Sequence, residues 1–176
     1  MKLLVKLLLG LVALVVLLLV IGFFLPGSYR VERSATINAK PEKIFPLINS
    51  LKRWPDWSAW NTTRYPDMTY NYTGPETGVG AESAWTGKSS GTGKMKLTKS
   101  DPAKGIEYDL DFENGQYLST GALSFEPAGE STKVVWTTQG DLSGPVGHWM
   151  GLCMDRFMGP DFETGLANLK AKAEAK

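Results

Sequence analysis

GPVGHWMGLCMDRFMGPDFETGLANLKAKA, Gly144 to Ala173, is the stretch on which the rest of the chain depends. Val146, Trp149, Met150, Cys153 and Phe157 recur at steps of three, one, three and four, the period of one helical face. After Gly159-Pro160 the pattern resumes with Phe162, Leu166, Leu169 and Ala173. Proline is accepted in the first turn of a helix, where its missing N–H would have had no partner. The spacing predicts one long amphipathic helix, kinked or briefly interrupted at Gly159-Pro160. Cys153, on its apolar face, reads as a small buried hydrophobe. No other long amphipathic helix follows residue 30. The chain before it reads largely as short strands, and a sheet with one apolar face needs a cover.

Those strands have regular punctuation. Ile106, Tyr108, Leu110 and Phe112 point one way and Glu107, Asp109 and Asp111 the other, the signature of a half-buried strand. Asn114-Gly115 is a hairpin signal, leading to strands over Tyr117–Phe125 and Thr132–Gln139, with Val134 and Trp136 on one side. Upstream, Met68–Tyr72 alternates, and Gly74–Gly80 is a turn. Ala81–Trp85 and Gly93–Ser100 are two further strands, joined around Gly87–Gly91. Turns every ~8–12 residues indicate an antiparallel meander. Nearer the start, Tyr29, Val31, Ala35 and Ile37 share a face with Arg33, expected at a strand end beside an acid rather than reaching into a cavity. A short helix over Pro41–Asn49 carries Ile44, Phe45 and Ile48. Trp54, Trp57 and Trp60, three apart, form a stripe on a helical turn, as core packing or as one wall of an apolar pocket. The order of strand, helices, about six strands and a long helix defines an α+β domain.

Ahead of that domain, Leu7–Leu25 carries no charge. Counted from Leu3, the run crosses ~30 Å of hydrocarbon at 1.5 Å per residue. It exceeds the ~7–15 residues of a cleaved signal's apolar core, and no small-x-small site follows. Residues 1–26 are therefore expected to anchor the chain in the cell membrane by a single span, with 27–176 forming the domain. Lys2 and Lys6 precede the span, and Arg30 and Arg33 follow it, which favours a cytoplasmic N-terminus and an extracytoplasmic domain only slightly. Pro26-Gly27-Ser28 is a short linker, so the domain should sit close to the bilayer.

Several chemistries fall away. The 176 residues carry a formal net charge of +1 and no basic footprint for nucleic acid. One cysteine rules out an internal disulfide framework. Gly87–Lys94 lacks the spacing of a phosphate loop, and a strand follows it instead of a helix. The acids at 107, 109 and 111 alternate as a solvent face does, so no general acid or base is read there. His148 is the only histidine, which excludes a histidine cluster; it reads as a capping or surface residue. No cofactor or metal set is expected. Asn61-Thr62-Thr63 and Asn71-Tyr72-Thr73 match the glycosylation sequon, which matters only in a secreted eukaryotic setting. Six tryptophans, six tyrosines and seven phenylalanines point to a ring-lined interior, and apolar sites with few polar groups bind small molecules.

Four stretches carry a family likeness: LPGSYRVERSATINAKPEKIFPLI from Leu25, RWPDWSAW from Arg53, GPETGVGAESAWTG from Gly74 and MGPDFETGLANLK from Met158. In this order and spacing the chain resembles the SRPBCC superfamily (START-like, Bet v 1-like), and within it the bacterial polyketide cyclase/dehydrase-like branch, whose members often carry one N-terminal span. The resemblance implies a helix-grip fold: a curved antiparallel sheet of about seven strands around the C-terminal helix, with a hydrophobic tunnel between them. On this reading a hydrophobic or lipid-like small molecule would meet Trp57, Trp60, Trp85, Tyr108, Phe112, Trp136, Trp149, Met150 and Phe157. Two alternatives stand beside it. One is an enzyme of the polyketide cyclase or dehydratase kind, for which Arg33 and His148 are the basic candidates. The other is an envelope interaction protein with no small-molecule ligand.

Overall fold

A computed structural model describes residues 2–175; the expected segment limits at Met1 and Lys176 lie outside the described residues. The chain begins with α1 (Lys2–Gly22), an apolar helix long enough to cross a bilayer, a property it shares with secretion signals. Strand β1 (Ser28–Ile37), helix α2 (Pro41–Ile48) and a 3-10 turn (Leu51–Asp56) follow. The meander is β2 (Thr69–Thr73), β3 (Glu82–Gly87), β4 (Gly91–Asp101), β5 (Gly105–Phe112), β6 (Tyr117–Ala128) and β7 (Ser131–Asp141). Helices α3 (Gly144–Gly151) and α4 (Met154–Glu174) close the chain.

All seven strands form one antiparallel sheet, in the order β1-β7-β6-β5-β4-β3-β2. This is the helix-grip α+β fold. Register places Val31, Arg33, Trp136, Leu123, Tyr108 and Leu97 on the face that α4 and α2 cover. The β5–β6 hairpin turns at Asn114 (φ 56°) and Gly115 (φ 91°), left-handed backbone that this residue pair tolerates. Glu107 and Asp109 face solvent, as their alternation predicts.

The tryptophan turn has a structural cause of its own. A helix leaves its last carbonyls without intrahelical donors. At the end of α2 the buried indoles supply them: Trp54 Nε1 donates to Ile48 O at 2.8 Å and Trp57 Nε1 to Leu47 O at 3.0 Å. Both rings are thereby buried with their one polar group satisfied. Asn168 of α4 clamps the same turn through Trp57 O at 3.1 Å.

The C-terminal helix departs from the sequence expectation. It breaks at Leu152–Cys153, where Cys153 N–H donates to Met150 O at 2.9 Å, and runs unbroken through Gly159-Pro160. The break separates two packing partners: α3 lies against α1, and α4 lies against the sheet. Pro160 faces solvent, and the helix accepts the loss of one hydrogen bond there. Gly159 is buried instead of serving as a breaker, because the Arg33 guanidinium lies against it. Arg33 sits mid-strand, not at a strand end, and its acids come from α4: Glu163 at 2.6 Å and Asp155 at 2.7 Å. Because helical register restarts after the break, Cys153 is exposed rather than buried, and Val146, Trp149, Met150 and Phe157 lie on the outside.

Candidate functional site: a ring-lined cavity under the sheet

The cavity lies where the concave face of the sheet, the tryptophan turn and the first half of α4 meet. Its wall takes Trp54, Ser58 and Trp60 from the turn, Tyr70 to Thr138 from strands β2, β3, β4, β5 and β7, and Met158 and Phe162 from α4. Small residues admit the rings. Trp85 lies over Gly93, and Tyr108 over Gly121. A side chain at Gly165 would place its Cβ 2.7 Å from Trp136. Arg33 and Trp136 are register partners on β1 and β7, so Gly159 and Gly165 seat two adjacent large side chains under one helix.

Close seating costs volume. Trp136 stacks on Phe162 with centroids 4.1 Å apart and meets Trp54, Trp57 and Trp60 edge-on. Sheet and helix are in contact there, and the space left is about 70 Å³, displaced toward β2–β5. That is far below the ~300–1,000 Å³ of a site for a drug-sized ligand. It is several times the ~10–15 Å³ that one water needs.

Hydroxyls in the wall are few and engaged with the protein. Tyr70 Oη and Ser58 Oγ both donate to Trp60 O at 3.0 Å, and Thr138 Oγ1 donates to Thr120 O at 3.2 Å. Trp136 Nε1 donates to Tyr108 Oη at 2.9 Å, with both residues buried. Burial pushes the Tyr70 phenol up to about 12, with Tyr72 adding to the rise. Burial raises Tyr108 further still, against the lowering effect of the Trp136 N–H. Both phenols are therefore neutral across the physiological range. The wall contains no carboxylate, imidazole, amine or guanidinium. Arg33 points across α4 to its two acids, and His148 Nδ1 lies 2.8 Å from Gly22 O; neither lines the cavity.

Among the residues expected at a site, Trp60, Trp85, Tyr108, Phe112 and Trp136 come together around the cavity. Trp57 is fully buried behind the wall, against Trp54 and Trp136. Trp149, Met150 and Phe157 are exposed and do not line it, for the reason given by the helix break. Sequence reasoning missed Tyr70, Ser83 and Met95, which share alternation with Tyr72, Trp85 and Leu97 and so were open to a parity argument. Met158 and Phe162, four apart on α4, were also legible as a pair.

A family model described as polyketide cyclase / dehydrase and lipid transport matches residues 28–174. The chain belongs to this family. It lies in the polyketide cyclase-like branch of the SRPBCC superfamily, and its structural neighbours agree with that placement. Similar folds include a Thermobifida fusca protein, 18% identical, with TM-score 0.62, covering 82% of this chain and 92% of that one. Ara h 8.0201 is 13% identical with TM-score 0.52 and coverage of 84% and 98%. The di-domain ARO/CYC BexL from the BE-7585A biosynthetic pathway is 14% identical with TM-score 0.61, covering 85% of this chain and 51% of its own. At these identities the likeness is one of fold. No curated protein matches the chain.

Proposed function

We propose that this chain is a membrane-tethered domain that binds a small hydrophobic molecule in the cavity between the sheet and α4. The observation that carries the reading is the wall itself: rings, Met and Leu, with every nearby hydroxyl a neutral group. Such a wall rewards apolar surface at ~25 cal/mol per Å² and supplies no proton acceptor for a reaction. About 70 Å³ is roughly half the ~150 Å³ of a cavity that takes benzene, so even a single ring enters only as the wall yields. A longer, lipid-like guest enters by displacing the half-buried rim of Trp60, Trp85, Met95, Phe112 and Met158. The tether is α1, whose 21 residues rise ~31 Å at 1.5 Å each.

The test is direct. The full chain is purified in detergent, and native mass spectrometry records what remains bound. Titration with small aromatic and branched-alkyl probes follows, read by tryptophan fluorescence. Ser83→Leu places extra carbons in the cavity from a buried wall position. It should weaken probe binding about tenfold or more, equivalent to ~1.4 kcal/mol. Equal binding by parent and variant, or no binding by the parent at any probe concentration, would falsify the reading.

A further inference from the structure

We propose that α3 and the apolar side chains beside it form a face that seats the domain on the bilayer holding α1, with the rim of the cavity turned toward that bilayer. This rests on the tethering half of the proposed function and adds where the domain touches lipid.

The first support is the distribution of exposed apolar groups. Beyond Phe24, the large exposed hydrophobic side chains among the described residues are Leu118, Val146, Trp149, Met150, Leu152, Phe157 and one outlier, Val79. Topology puts the first six at one end of the sheet. Leu118 opens β6, α3 follows the end of β7, and Phe157 lies in the first turn of α4. Ser28, the residue at which the chain enters the sheet from α1, pairs with Asp141 at that same end. Val79, in the β2–β3 connection, lies at the opposite end. Scattered surface hydrophobics need no explanation, but a gathered patch marks a contact.

The second support fixes the patch relative to α1. Trp149 Nε1 donates to Leu18 O at 2.9 Å, and His148 Nδ1 lies 2.8 Å from Gly22 O. Gly22 admits Pro145, whose carbonyl would stand 2.7 Å from a Cβ there. Leu142 N–H donates to Gly27 O at 2.9 Å, holding the linker to the root of α3. Leu18 is one helical turn inside the end of α1, so the Trp149 indole sits ~6 Å within the apolar helix's last residue. That is the interfacial depth at which tryptophan is enriched. Any occupant of this face must be continuous with whatever surrounds α1, and a spanning helix is surrounded by lipid.

The third support is the rim. Phe112, Gly93, Trp85 and Tyr70 are successive register partners, and they occupy the strand ends on the α1 side of the sheet. An apolar guest leaving the bilayer thus enters without crossing bulk water.

Cys153 is the chain's only cysteine and is exposed, so Cys153→Ser gives a label-free background. Single cysteines Val146→Cys, Leu152→Cys, Phe157→Cys and, as control, Val79→Cys carry a fluorophore. The full chain is placed in phosphatidylcholine/phosphatidylglycerol vesicles with brominated acyl chains. Labels at 146, 152 and 157 should be quenched at least twofold more than the label at 79. Quenching no greater than at 79 overturns the proposal. So does shielding from both brominated lipid and aqueous iodide, the signature of a second copy or a protein partner. Alkaline extraction separates the two levels: a chain released by carbonate has no tether at all, whereas a retained chain with water-exposed labels is tethered but undocked.

Discussion

Replacing Tyr108 by Phe removes one oxygen and leaves the ring on Gly121. In the parent that oxygen is the acceptor for the Trp136 indole N–H at 2.9 Å. Trp136 is 1% exposed and Tyr108 2%, so bulk solvent does not reach the N–H left without its acceptor. An orphaned buried donor costs ~1–3 kcal/mol, more than the ~0.5–1.5 kcal/mol net value of an ordinary hydrogen bond. For a domain of this size that corresponds to a melting temperature lower by roughly 3–10 °C. The assay is urea or thermal unfolding of the full chain in detergent, followed by tryptophan fluorescence and far-UV circular dichroism. Trp136→Phe removes the donor and completes a double-mutant cycle. If the hydrogen bond is the cause, the double variant is less destabilised than the two single losses summed, by ~0.5 kcal/mol or more. A Tyr108→Phe variant within ~0.5 kcal/mol of the parent, or a strictly additive cycle, would refute the reasoning.

Gly165→Leu should destabilise by ~1–3 kcal/mol and alter the near-ultraviolet dichroism of tryptophan, because the new side chain meets Trp136 where it is already stacked on Phe162; an unchanged spectrum and midpoint would count against a closed helix–sheet contact. Trp57→Phe should cost ~1–2 kcal/mol in the same unfolding assay by leaving Leu47 O at the end of α2 without its donor. Acid should unfold the protein through carboxylates held low: Asp155 by Arg33, Glu174 by the Asn38 N–H, and Asp67 by the Ser89 hydroxyl. Their contribution is complete above the unfolded values of 3.8 and 4.5 and is lost as pH falls through the lower native ones, so Asp155→Asn should flatten the acid limb of a midpoint-versus-pH curve. Tyr70 works in the other direction: its contribution is complete below pH 10 and lost as pH rises toward about 12, and Tyr70→Phe should remove that part of the alkaline limb.

How far the sequence could be read depended on how local each determinant was. Alternation at Ile106, Tyr108, Leu110 and Phe112 reports burial directly, since a strand has a period of two and one face against a core. Asn114-Gly115 specifies its hairpin through backbone geometry alone. For the same reason five of the nine expected site residues gathered at the cavity: the rings on the strands and Trp60 follow from parity and turn chemistry. The four that did not, Trp57, Trp149, Met150 and Phe157, depend on packing partners distant in the chain. Helical period cannot tell a face that meets the sheet from one that meets α1 or lipid.

Composition, alternation and turn residues thus determined the α+β class, the antiparallel meander and an apolar helix at the N-terminus, because each is written within a few consecutive residues; the place of β1 beside β7 is set by pairing across the whole domain. Tertiary structure alone decided that Gly159 and Gly165 are seats for Arg33 and Trp136, and that Gly159 does not interrupt the helix. It also decided that the final helix divides at Leu152–Cys153 and that the cavity keeps about 70 Å³. Those outcomes rest on whether two large side chains from different strands fit beneath one helix, a steric question that no local pattern contains.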